Sequence, residues 1–352
     1  MNISNKLIKR HTHSDIYEYT LSNKRDLCCS ISNYGATILS ISLLDSKNQL
    51  RNLALGFKDF TTYLNNSLYA GATLGPNAGR LGNALLSINN KVYTLSKNDK
   101  KNNLHGGFNN ASFKLWTYED SEILDSSVSV TFSLTLPHTL DGFPGNRILL
   151  ATFTLTDDNE LKLHYESTSD MDTYINISNH CYFNLSGDFN SSALEQKLTI
   201  SASKYLSNNE NHIPTELSSV DDSPFDFINS KTIKKQIEAY ANHPQISLCK
   251  GYNNSFYLEN TKNMDKPAAI LESPNGDVSL SLYTDAPSLV FYSGGYIEEG
   301  LLLKDNSLST PSCGIALEAQ DFPNGPNLDF INSKYLKKYE TFTRDIIYKF
   351  QF

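Results

Sequence analysis

Residues 127–136, Ser-Val-Ser-Val-Thr-Phe-Ser-Leu-Thr-Leu, alternate polar and apolar side chains without interruption. Successive side chains of an extended chain leave opposite faces, so a period of two suits a half-buried strand and no helix. The pattern recurs along the chain. Residues 151–156 and 161–165 flank the polar tetrapeptide Asp157-Asp158-Asn159-Glu160, which predicts an antiparallel hairpin. Ser87-Ile88 and residues 91–95 around Asn89-Asn90 predict another, and Ser273-Pro274-Asn275-Gly276-Asp277 is a turn before a strand at 278–283. Helical signals are confined to residues 58–64 and 232–239, where Ile233 and Ile237 lie four apart. There is no βαβ alternation, no internal repeat and no Pro/Gly/Ser-rich linker. The expected fold is all-β, one large antiparallel sandwich spanning residues 1–352 as a single domain.

Charge and cysteine usage narrow the function classes. The formal net charge is −8, and basic residues cluster only in short runs such as Lys100-Lys101 and Lys234-Lys235. Nucleic-acid binding needs a broader cationic surface than that. No apolar stretch reaches membrane length, and residues 1–10 are polar, without the apolar centre of a secretory signal. The five cysteines, Cys28, Cys29, Cys181, Cys249 and Cys313, are odd in number and form no Cys-x-x-Cys motif. That argues against a disulfide framework and against zinc, and it makes reduced thiols and a cytoplasmic address the expectation. Cys28-Cys29 reads as buried structural thiol.

Four segments place a reactive side chain in apolar or glycine-rich company. His180 lies in Asn179-His180-Cys181-Tyr182-Phe183-Asn184-Leu185, an extended aromatic run that predicts His180 and Tyr182 on one face. A hydrogen-bonded structural histidine would look the same. Glu318 follows Gly314-Ile315-Ala316-Leu317 and precedes a Pro/Asn/Gly loop. It is either a buried carboxylate with a purpose or a solvated strand end. His105 is followed by Gly106-Gly107, where a ligand or backbone can approach closely; an ordinary loop histidine is the alternative. Arg80 closes the segment Gly75-Pro76-Asn77-Ala78-Gly79-Arg80, which lacks the Gly-Lys-Ser/Thr ending of a phosphate loop. Its guanidinium is a donor fork for hydroxyls or carboxylates, or half of a structural ion pair. An acid and a base held on two distant strands are what proton-transfer chemistry requires.

Taken in order, these motifs resemble the aldose 1-epimerase (galactose mutarotase) family. The resemblance begins at Asn33-Tyr34-Gly35-Ala36-Thr37 and runs through Leu55-Gly56-Phe57, residues 75–80, Leu104-His105-Gly106-Gly107 and Gly142-Phe143-Pro144-Gly145. It continues through residues 178–185, Pro224-Phe225-Asp226-Phe227, Gly251-Tyr252 and Leu317-Glu318-Ala319-Gln320 to Tyr348-Lys349-Phe350. It implies a β-supersandwich that interconverts the α and β anomers of a free hexose, galactose- or glucose-like, without cofactor or metal. It assigns Glu318 as general base and His180 as general acid, with the imidazole kept cationic near neutral pH by a neighbouring carboxylate. Arg80, His105, Tyr182 and Asn253 fall on sugar-binding positions.

The partner implied is a small sugar, with no nucleic acid or membrane, for a monomer or homodimer. The chain departs from the family pattern at Asn253, where an Asp is usual, at Asn254, and at Pro76, Gly79 and Val290. These put the identity of the sugar in question more than the reaction. An epimerase of a phosphorylated or oligomeric sugar, or a carbohydrate-binding protein without catalysis, are the competing readings.

Overall fold

The computed structural model describes residues 1–10, 15–45, 48–259, 261 and 264–352. Among these, antiparallel sheet dominates. A nine-stranded sheet runs in the order Thr117–Ile123, Ser127–Leu136, Arg147–Thr156, Glu160–Ser169, Thr341–Gln351, Ser279–Thr284, Ala269–Glu272, Lys197–Ile200, Lys231–Thr232. The C-terminal strand therefore sits at its centre, between strands from the middle and the last third of the sequence. A six-stranded sheet has the order Tyr182–Phe183, Ile315–Gln320, Ser288–Tyr292, Asn253–Tyr257, Lys204–Asn208, Pro214–Ser219. The five strands from Asn2–Lys9 to Leu50–Asn52 form a meander in sequence order.

The predicted alternation holds. Ser127–Leu136 buries every second residue, and it pairs in register with Arg147–Thr156, which continues as a hairpin into Glu160–Ser169. One apolar core collects inward side chains from all three sheets, among them Ile31 and Ile41, Phe132 and Phe153, and Phe256 and Leu317. Phe153 is fully buried between Phe132 and Tyr165, with ring centroids 6.4 and 6.5 Å away. Phe153→Ala should cost about 3–5 kcal/mol through the cavity it leaves. A lower urea midpoint with unchanged activity per folded molecule is the expected measurement.

The strands Tyr182–Phe183, Ile315–Gln320 and Ser288–Tyr292 of the six-stranded sheet are buried on both faces, and the sheet's pleat separates two environments. Ile315, Leu317 and Ala319, with Leu289, Phe291 and Phe256, point into the shared core. Glu318, Gln320, Val290, Tyr292, Asn253 and Ser255 point the other way and line a cavity. This is the period-two rule of a strand, used once for packing and once for chemistry.

Two local readings of the sequence are corrected. The aromatic run around His180 is not one strand. Ser178–Asn179 pairs with Thr73–Leu74, whereas Tyr182–Phe183 pairs with Ile315–Gln320, and the chain passes from one sheet to the other at His180-Cys181. A helix at Pro244–Cys249 was also not anticipated, because six residues are too few to show a period. Its signals are punctuation: Pro244 in the first turn, the His243 side chain accepting from the Gln245 amide, and Lys250 in the left-handed region at the end. The expected helical segments appear as a 3₁₀ turn at Phe60–Asn65 and a helix at Ile233–Ala239.

Candidate active site

A cavity of about 380 Å³ opens on the polar face of the six-stranded sheet, and all six residues singled out in the sequence line it: His180, Glu318, Arg80, His105, Tyr182 and Asn253. Each reaches it by a different route. Glu318 stands on a central strand with 4 % of its surface exposed, which removes the solvated strand-end reading. His180 sits at the seam where the chain changes sheets. Its own peptide groups are committed there: its N–H donates to Ala72 O at 3.0 Å, and its carbonyl accepts from Gly71 N at 2.9 Å.

The His180 ring stacks on Tyr182 at 4.8 Å with 26° between planes and meets His105 edge-on at 5.6 Å. Tyr182 Oη donates to the carbonyl of Leu68 at 3.2 Å, so this phenol braces the imidazole from a fixed position. His180 Nε2 lies 3.6 Å from Glu318 Oε1. That is too long for a direct hydrogen bond. It suits two groups that address neighbouring oxygens of a third molecule.

Burial dominates the electrostatics. It pushes the Glu318 carboxyl up to about 8, against the lowering influence of Arg80 and of a hydrogen bond from Gln320. Burial also pulls His180 down to about 4. The expectation of an imidazole held cationic by its carboxylate is therefore corrected: with both groups largely buried in the cavity wall, the pair favours a neutral acid beside a neutral imidazole. The physical reason is that desolvation of two charges outweighs their attraction at this distance.

His105 is likewise pushed well below the usual histidine range by burial, next to His180 and Arg80. Its Nδ1 accepts from the Gly79 amide at 3.1 Å, which places the ring proton on Nε2. His105 is thus a neutral donor. Its backbone has φ +50° and is followed by Gly106 at φ +90°, where a Cβ would stand 2.7 Å from Pro76 Cδ. The glycine is what lets the loop fold against the Pro76 turn.

Arg80 and Leu104 are partners in a short antiparallel ribbon. Arg80 Nε donates to Asp99 Oδ2 at 2.7 Å, so one edge of the guanidinium is anchored. Asn253 lies on the cavity face, and the next residue, Asn254, turns away and donates to Leu206 O and Gln245 Oε1. Of the two departures from the family pattern at this point, only the first faces the site. Val290 is the cross-strand neighbour of Glu318.

Sequence reasoning missed Asp99, Tyr292 and Gln320 as wall residues. Gln320 had a signal, since it stands two residues from Glu318 on a strand and must share its face. Asp99 had none, because its contact with Arg80 depends on how the Asp99–Asn102 turn closes. Among the described residues no three His, Cys, Asp or Glu side chains converge as a metal-ligand set. Among the described residues no helix is long and apolar enough to cross a membrane.

Comparison with known proteins bears on the same site. The family model for aldose 1-epimerase matches residues 17–349. An aldose 1-epimerase of Haemophilus influenzae is 35% identical over 313 residues, covering 88% of this chain and 87% of its own. A galactose mutarotase of Homo sapiens is 30% identical over 321 residues, covering 91% and 90%. Among solved structures, galactose 1-epimerase from Lactobacillus acidophilus superposes with a TM-score of 0.87 at 29% identity, covering 99% of this chain and 98% of that one. An aldose epimerase homologue from C. elegans, at 24% identity and covering 94% and 98%, shares the fold with a TM-score of 0.84. A family model matched over residues 17–349, a relative 35% identical across most of both chains, and a shared fold place the chain in the aldose 1-epimerase family.

Proposed function

We propose that this protein is a mutarotase, an isomerase that interconverts the α and β anomers of a free aldose, with Glu318 as base and His180 as acid. The observation that carries the assignment of roles is the 3.6 Å separation of the two groups on one cavity wall. The hydroxyl and ring oxygens of a hemiacetal share a single carbon, so two groups this close can each address one of them. Glu318 removes the proton from the C1 hydroxyl while His180 delivers one to the ring oxygen. The ring opens, the C1–C2 bond turns, and the same groups run backwards to close the other anomer.

The pair's protonation is compatible with this cycle. A neutral acid beside a neutral imidazole and a carboxylate beside an imidazolium hold the same number of protons and the same net charge. Transfer from Glu318 to His180 converts the first into the second without exchange with solvent. The working form is the minor one until oxygens of the substrate hydrogen-bond to it. Because the pair titrates as a unit, kcat/KM should be bell-shaped. It should fall as pH drops toward about 4, where His180 takes a second proton, and as it rises past about 8, where the last one leaves.

The rest of the wall fits a sugar. His105 offers a fixed N–H, Arg80 a fork held at one end, and Tyr292 and Tyr182 flat apolar faces. Removing the anchor should loosen the fork. Asp99→Ala is expected to raise KM roughly two- to fivefold with kcat nearly unchanged, the signature of lost uniform binding. A phosphorylated substrate finds less support, because Asp99 already neutralises Arg80, one of the two cations (with Lys100) on the cavity wall. A pure binding protein would have no use for a carboxyl and an imidazole displaced so far toward neutrality.

Five free cysteines support the cytoplasmic assignment, and we keep the monomer-or-homodimer reading. The test is an anomer-exchange assay by polarimetry or NMR, starting from freshly dissolved α-anomers of several aldoses. Acceleration of none of them would defeat the assignment.

A further inference from the structure

Gln320 is completely buried, lines the cavity, and its Nε2 lies 3.3 Å from Glu318 Oε2. An amide side chain can present either end, so its orientation must be deduced. The Asp321 backbone N–H, which can only donate, points at Asn176 Oδ1 at 2.7 Å. That fixes Asn176 with its Nδ2 as donor, toward Ala78 O at 3.1 Å and Gln320 Oε1 at 3.5 Å. Gln320 Oε1 is thereby the acceptor, and its Nε2 must donate to the carboxyl. Asp321, which starts the relay, is held by Arg344 at 2.7 Å, and Arg344 also grips Asp285 at 3.1 Å. Gly79 leaves room for it: a Cβ there would stand 3.0 Å from Gln320 Oε1.

From this relay we infer that Gln320, oriented by Asn176, is a positioning residue that holds Glu318 with Oε1 toward His180 and sets how readily its carboxyl ionises. The inference rests on the proposed roles of Glu318 and His180. A donor fixed on Oε2 favours the carboxylate over the acid. It thus favours the carboxylate–imidazolium form of the pair, which does the work. The other titratable or charged groups around Glu318 are His180, Arg80, Tyr182 and Tyr292, with Tyr348 behind the sheet and His105 beyond His180. Gln320 adds no charge to this set; it adds direction.

The test is Gln320→Met, which keeps the volume and removes the donor, measured beside Gln320→Glu and Glu318→Gln. The Glu318 carboxyl is followed by 13C NMR, and mutarotation by its pH profile. In Gln320→Met the carboxyl titration and the alkaline limb should both move up by about one pH unit. The neutral-pH kcat should fall by the same factor, about tenfold, because the working form is depopulated in proportion. Rates should converge with wild type on the alkaline side. Gln320→Glu sets a second carboxyl against the first and should move the titration further upward, and being nearly isosteric it carries the test if the Met variant fails to fold.

An unshifted titration, or a loss of rate without the matching shift, overturns the inference. Wild-type activity in Glu318→Gln would instead defeat the proposed catalytic roles, an outcome read from a different variant.

Discussion

Glu318→Gln is expected to lower kcat by roughly 10²–10⁴ while the fold persists, the range a single positioned proton transfer contributes. The amide matches the carboxyl in shape, so Val290 beside it and the Leu317 and Ala319 packing behind it stay undisturbed. What disappears is the capacity to accept the proton of the C1 hydroxyl. Stability should change in the opposite sense from activity. The folded carboxyl titrates at about 8 against an ordinary 4.5, so the folded state holds a proton that the unfolded chain releases. The associated stabilisation is complete below pH 4.5 and is lost as pH rises through 8. The amide has no such dependence. Relative to wild type, the variant should therefore gain in melting temperature between pH 5 and pH 8. A variant with wild-type mutarotation, or one whose melting point tracks wild type across that range, contradicts this account.

His180→Asn should produce a loss of similar size, roughly 10²–10⁴ in kcat, because an amide can donate a hydrogen bond and cannot surrender a proton. The smaller side chain forfeits the stacking on Tyr182, but Tyr182 stays pinned by its bond to the Leu68 carbonyl. The acid-side behaviour offers a second check. Burial holds the folded imidazole at about 4 against an ordinary 6.5. Its contribution to stability is thus present above pH 6.5 and is lost as pH falls through 4. His180→Asn should blunt acid destabilisation over that interval. If the two residues act as one proton-exchanging unit, the double variant should be scarcely slower than either single one. Multiplying losses would mean that they act independently.

Strand identity was legible along most of the chain because a half-buried strand writes its burial into alternate letters. Ser127–Leu136 is the clearest case, buried at every second residue as its spelling requires. Legibility failed where two sheets share one run of residues. The segment around His180 is buried on both sides of the seam, Ser178-Asn179 before it and Tyr182-Phe183 after it, so nothing in its spelling marks the change of partner. It failed again for Pro244–Cys249, too short to show a period, and for Asp99, whose partner is set by a turn closing in space.

Residue types in order were enough to nominate an acid, a base and a sugar-binding set, because local spelling records which side chains share a strand face. They could not assign protonation. His180 and Glu318 are separated by most of the C-terminal half of the sequence, and their titration follows from how deeply the packed sheets bury both. The direction of the Gln320 amide is likewise unwritten in the letters: a backbone N–H at Asp321 and a side chain at Asn176 impose it together. Proton affinity and amide orientation are properties of surroundings, and the surroundings exist only once the sheets have closed.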